Sequence, residues 1–107
     1  MAIIPLLKIH DAVENDLQSS FMWYEQQSEG LGYDFIRAFQ AGLSNIVKFP
    51  YLAPRIGNGF DRRYVLNRFP FVIYYTPSAS IINVYGIFHC SQAPIKMKRQ
   101  IKKRKNQ

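Results

Sequence analysis

The chain has 107 residues with 48% apolar and 15% aromatic content, enough for one domain with a real core and too short for a two-domain enzyme. Its longest apolar stretch, Phe69 to Tyr75, is seven residues and contains a proline, whereas a helix crossing a bilayer takes about 20. The net charge of +7 is lopsided: residues 1–54 hold six acids against three bases, and residues 55–107 hold Asp61 alone against eleven bases. Seven of the last twelve residues are Lys or Arg, a run that attracts an anionic partner, either a nucleic acid or an acidic peptide. A lone cysteine, Cys90, forms no internal disulfide, and Met1 to Leu7 lack the basic and small-residue features of a secretory leader, so a cytoplasmic location is expected.

In chain order, the apolar run Ile3 to His10 predicts a first strand, with Pro5 tolerated at its start or on an edge. Asp11 and Glu14 have the spacing of a capping box, and Val13, Leu17, Ser20, Phe21 and Tyr24 recur on one face of a helix running to about Gln27. Gly30 and Gly32 break it. A second helix carries Phe35, Ala38, Phe39, Gly42, Leu43 and Ile46 on its apolar stripe until Pro50, and small Ala38 and Gly42 predict close approach of the two helices as an antiparallel hairpin. Residues 51–60, with Pro54, Gly57 and Gly59, read as a surface loop. Three runs rich in β-branched and aromatic residues follow, Arg62 to Asn67, Phe71 to Thr76 and Ile81 to His89, with separators short enough for hairpins. The expected architecture is α+β: a helical hairpin on one face of a mostly antiparallel sheet, the other face open, as residues 1–95, followed by a basic tail over 96–107.

Phe21-x-Trp23-Tyr24-Glu25-x-Gln27, then Gly30-Leu31-Gly32-x-x-Phe35, Arg62-Arg63, Arg68-Phe69-Pro70-Phe71-x-Ile73-x-Tyr75 and Ile87-Phe88-His89 together resemble the ParE branch of the RelE/ParE toxins. These are the plasmid-stabilisation toxins of bacterial type II toxin-antitoxin modules, and the resemblance covers about residues 3 to 93. It implies a β-α-α-β-β-β fold, a cytoplasmic toxin, and neutralisation by a cognate antitoxin with an acidic C-terminal segment. For the ParE branch the implied target is DNA gyrase, poisoned by binding without cofactor or catalytic constellation. The alternative is the RelE-like branch, a ribosome-dependent mRNA endonuclease that needs a general base and a cationic stabiliser on the open sheet face. That branch carries an arginine where this chain has Phe71, and a basic residue where it has Cys90-Ser91-Gln92. A third reading is a degenerate member that no longer arrests growth.

Arg62, Arg63 and His89 are the catalytic candidates. Strand neighbours point to opposite faces, so only one of the two arginines reaches the open surface. His89 at a strand end is more often a structural hydrogen-bonder. His10, His89 and Cys90 lack metal-ligand spacing, so no metal is expected, and consecutive strand residues diverge, so His89 does not activate Cys90. Tyr64, Tyr74, Tyr75 and Tyr85 interleave with the arginines in a pattern able to stack bases, although a sheet under helices turns half of them inward. The expected partner surface comprises Trp23, Arg62, Arg63, Tyr64, Arg68, Lys96, Lys98 and Arg99.

Overall fold

A computed structural model describes residues 4–106. Four strands form one sheet, β1 (Leu6–Ile9), β2 (Arg62–Val65), β3 (Phe71–Pro77) and β4 (Ile81–His89), in the order β1-β4-β3-β2. The two hairpin pairings are antiparallel, and β1 runs parallel to β4 from Leu6 opposite Ile81 to Ile9 opposite Val84. The helices are α1 (Ala12–Gln27), α2 (Leu31–Lys48) and α3 (Pro94–Lys105). The helical hairpin and the three-strand meander therefore stand where periodicity put them. Ile3, the expected start of the first strand, lies outside the described residues.

The expected capping box does not form. Asp11 makes no side-chain cap hydrogen bond; instead the His10 imidazole Nδ1 accepts from the Ala12 N–H at 3.1 Å, satisfying one of the donors that a helix start leaves free. At the next boundary Gly30 takes a left-handed conformation (φ 87°) that a side chain would strain. The Glu25 carboxylate then accepts from the Gly32 N–H at 2.8 Å, capping α2 from α1. A Cβ on Gly32 would fall 2.6 Å from the Glu25 Cγ and 2.7 Å from the Phe21 carbonyl oxygen. Gly32 is thus the residue that lets the hairpin close. Gly42, expected in that role, faces the sheet instead, where a Cβ would meet Ile73, Leu66 and Tyr64 at 3.1 Å.

Under the hairpin lies the main core, built from Val13, Phe35, Phe39 and Ile46 against Phe71, Ile73, Tyr75, Ile82, Val84 and Ile87. Val84 and Ile87 share this face although their spacing is odd, because the β3–β4 register slips: Tyr75 opposes Val84 and Tyr74 opposes Gly86, leaving Tyr85 as the extra residue of a bulge. Beyond it the alternation changes phase.

The opposite face, expected to be open, is covered. Met97 and Ile101 of α3 are buried against Val72, Tyr74 and Phe88 as a second, smaller core. Of the segment 96–107, expected as a basic tail, residues 96–105 belong to this helix, which opens at Pro94, whose fixed φ and missing N–H suit a first helical turn. The α3 residues Met97, Ile101 and Arg104 lie at i, i+4 and i+7, one face of the helix. Burial of two apolar side chains contributes about 1.5–3 kcal/mol each, enough to outweigh the repulsion among the lysines around them.

The β1 strand is shorter than β4, so the β4 edge runs on alone after the His10 N–H donates to the Val84 carbonyl. Two side chains complete that edge. Arg104 Nη1 donates to the Tyr85 carbonyl at 2.7 Å and to Asp16 Oδ2 at 2.9 Å, and Arg104 Nη2 donates to Asp16 Oδ1 at 3.2 Å. The Ile87 N–H donates to Asp16 Oδ2 at 3.4 Å. The guanidinium lies 5.1 Å from the centre of the Phe88 ring, and Gly86 leaves the space it occupies: a Cβ there would fall 2.6 Å from Arg104 Nη1 and 2.5 Å from the Phe88 ring. This clasp ties α1, β4 and α3 together.

Candidate functional site

The catalytic candidates do not converge. Arg62 points to the hairpin side of the sheet, donates to the carbonyls of Tyr51 at 2.8 Å and Ala53 at 2.7 Å, and sits 5.3 Å from the centre of the Tyr51 ring. It holds the 51–56 loop against the start of β2. Arg63 turns to the other face, as strand alternation requires, and pairs across the ladder with Tyr74. Burial raises the Tyr74 hydroxyl above its ordinary 10.0, partly offset by Arg63. His89 lies opposite Phe71, three residues before Tyr74 on β3. At about 3.4 Å per residue and about 4.8 Å per strand, that places the Arg63 and His89 backbones on the order of 14 Å apart. The Phe71 side chain is buried in the main core, its ring 4.9 Å from that of Phe35.

His89 belongs to a different feature. Its Nδ1 meets the Ser91 N–H at 3.0 Å and the Ser91 hydroxyl at 2.7 Å, and its ring stands edge-on to Phe71. With Ser19, Ser20, Trp23, Tyr24, Pro70 and Phe71 it lines a hollow of about 450 Å³ between α1 and the β2–β3 turn. Trp23 is 57% exposed and Met22 beside it 53%. This is the expected position of Trp23, on the flank of the buried stripe, beside the hollow. Arg68, in the same turn, adopts a left-handed conformation (φ 72°), and its guanidinium reaches Asp34 at 4.0 Å.

A second apolar area surrounds the edge of the sheet at β2. Phe49, Tyr51, Leu52, Phe60 and Val65 are all more than half exposed. Asn45, Phe49, Leu52, Ala53 and Tyr64 enclose a hollow of about 320 Å³ there. Tyr64, expected on the partner surface, is packed against the main core, and its hydroxyl accepts from the Asn45 amide at 2.9 Å. Of the other tyrosines, Tyr75 is 1% exposed and donates to the Pro50 carbonyl at 2.9 Å. Inward packing therefore accounts for Tyr75 and Tyr74, and neither offers a ring for stacking.

The basic cluster of 96–105 divides on the helix. Arg104 is consumed by the clasp, and Lys105 donates to Asp61 Oδ1 at 2.6 Å, an oxygen that also accepts from the Thr76 hydroxyl at 2.6 Å. Lys96, Lys98, Arg99, Lys102 and Lys103 are exposed. Lys98 and Lys102 border a groove of about 340 Å³ against Ile56, Gly59 and Asp61. Asp16 and Arg104, which do most to fix α3, stood in no expected site. The signal for them was the i, i+4 spacing of Met97 and Ile101 inside the charge run. Among the described residues, no three His, Cys, Asp or Glu side chains gather where one ion would reach them, and no helix is long and apolar enough to cross a membrane.

A four-stranded, mostly antiparallel sheet carrying a helical hairpin on one face is a ParE-like fold. A chain of a solved chromosomal ParDE TA system from P. aeruginosa superposes on it with a TM-score of 0.71, spanning 80% of this chain and 96% of that one. The two sequences are 16% identical, so the likeness is one of fold. No family model and no curated protein matches the sequence.

Proposed function

We propose that the chain is the toxin of a bacterial type II toxin-antitoxin system, ParE-like, acting by binding DNA gyrase and neutralised by a cognate antitoxin. The observation that carries the reading is the superposition across nearly the whole of a ParDE chain. Three further observations support binding over mRNA cleavage. Phe71, at the place where the nuclease branch carries an arginine, is a core residue, and Arg63 and His89 stand on opposite faces of the sheet, Arg63 beside Tyr74 on the α3 side and His89 beside Phe71 on the hairpin side, so the two do not face one phosphate. The face on which a nuclease would display its catalytic groups is occupied by α3.

The antitoxin's anchor in this reading is Trp23 with the hollow beside it. Exposed aromatic residues next to a pocket carry much of the energy of interfaces, whereas rim charges mainly set the association rate. Conditional expression in bacteria tests the target: growth arrest with DNA-damage signalling is expected. Arrest with codon-specific mRNA cleavage, abolished by Arg63→Ala, would establish the nuclease instead, and an unaffected culture would mark a degenerate member. For the antitoxin, Trp23→Ala should speed dissociation while the free protein keeps its melting temperature.

A further inference from the structure

The outer half of α3 has no role in the fold. Met97, Ile101 and Arg104 turn inward, and Lys105 is held by Asp61. What remains outward is five cations and, at the first turn, Ile95. Lys98 and Lys102 form one row at i, i+4; Lys96, Arg99 and Lys103 form another at i, i+3, i+7. No acidic residue follows Asp61 in the sequence, and Asp61 itself is engaged. Because the helix is docked by its buried face and the clasp, these charges are displayed on a fixed support.

We propose that this surface binds the phosphate backbone of duplex DNA, a role separate from the toxin-antitoxin reading above. Five positive charges lie within eight residues of helix, Lys96 to Lys103, about 10 Å from first to last at 1.5 Å per residue. Duplex DNA carries one negative charge per about 1.7 Å of axis, about six over the same length, roughly twice what a single strand offers. Single-strand binders add aromatic platforms for the bases, and α3 has no aromatic residue. An acidic peptide needs apolar anchors for lasting affinity; the nearest, Ile95 and the groove bordered by Lys98 and Lys102, lie at one end and one side of the charged rows, and none stands among Lys96, Arg99 and Lys103. Contacts of this kind position a protein on DNA without reading its sequence.

Binding of the full chain to a labelled duplex of about 20 base pairs, across a salt series, tests the proposal. Each phosphate contact adds about 0.9 to the slope of log affinity against log salt, so five predict a slope near about −4.5. Affinity should then fall about 500-fold between about 50 and about 200 mM salt. Replacing Lys96, Lys98, Arg99, Lys102 and Lys103 together with Gln should abolish most of the slope at an unchanged melting temperature, and each single Lys→Gln should lower it by about 0.9. Arg37→Gln with Lys48→Gln, on α2 beyond the opposite face, should leave it as it was. No binding at about 50 mM salt, a slope indifferent to the five substitutions, or tighter binding of duplex RNA, single-stranded DNA or a polyglutamate peptide would overturn the proposal. Loss of duplex binding with antitoxin binding intact would show the two surfaces to be independent, as proposed; loss of both in the Gln variant would overturn that independence.

Discussion

Removing either member of the Asp16–Arg104 pair should be among the most damaging single changes available in this chain. The side chains are 18% and 13% exposed, the contact is bidentate, and Arg104 also satisfies the Tyr85 carbonyl. Breaking a buried ion pair by deleting one partner costs about 3–5 kcal/mol, because the survivor is left charged and poorly solvated. Residual solvent access lowers that to about 2–3 kcal/mol, and the freed backbone carbonyl adds about 1 kcal/mol. Arg104→Met, which retains the aliphatic stem over Phe88, should therefore lose about 3 kcal/mol, and Asp16→Ala a similar amount. In a domain of this size that is roughly 12–20 °C in melting temperature. Urea unfolding of the two single variants and the double variant, with unchanged m-values, gives the coupling directly. The double variant should cost less than the sum of the singles by about 2 kcal/mol. Single losses below about 1 kcal/mol, or strict additivity, would mean that the clasp forms without stabilising the fold.

The two packed glycines should respond differently. Gly32→Ala drives a methyl into the Phe21 carbonyl and should cost about 1–3 kcal/mol by thermal melting, whereas Gly42→Ala should be near neutral, the helix propensity gained offsetting mild crowding, and Gly42→Leu should be destabilising by overpacking. Arg62→Ala should free the 51–56 loop, read as faster proteolysis and amide exchange there, with about 1–2 kcal/mol lost overall. Burial raises the Tyr24, Tyr74 and Tyr75 hydroxyls above 10.0. The folded state thus holds protons that the unfolded state releases from pH 10 upward, so stability should fall as pH rises beyond that point. Phenolate absorbance should show these tyrosines ionising above the ordinary tyrosine range in the folded protein, and three ordinary titrations would contradict it.

The main core was legible because its signals are local. The stripe Phe35, Phe39, Gly42, Ile46 repeats with the helical period, so its buried face could be assigned from spacing, whereas Phe71 to Tyr75 is an unbroken apolar run that marks a strand buried on both sides without saying which residues meet the hairpin. The bulge at Tyr85 was not legible, since its cause is register against another strand. The second core was hidden differently: Met97 and Ile101 are two apolar residues in a stretch whose charge density dominated its reading, and only contact with Val72, Tyr74 and Phe88 turns the spacing into a docked helix. The candidate site divided along the same line. Trp23 stood out because it flanks a well-defined stripe, while Arg62 looked chemical and proves to be a loop anchor. Part of the resemblance motif is likewise architectural, Glu25 and Gly32 being the two halves of one helix cap.

The clasp joins residues 88 positions apart in sequence, and the parallel pairing of β1 with β4 spans a comparable distance. Loop-closure entropy makes such contacts late ones, whereas the α1–α2 and β3–β4 hairpins close over short loops. Folding should therefore pass through a stage in which both hairpins are formed and the outer edge of β4 has neither strand nor side chains upon it. For that interval the chain presents unpaired amides and carbonyls beside an uncovered aromatic face, the combination that recruits strands from other molecules. The speed at which Asp16 and Arg104 meet then sets how concentrated the nascent protein can be before intermolecular pairing competes with its own completion.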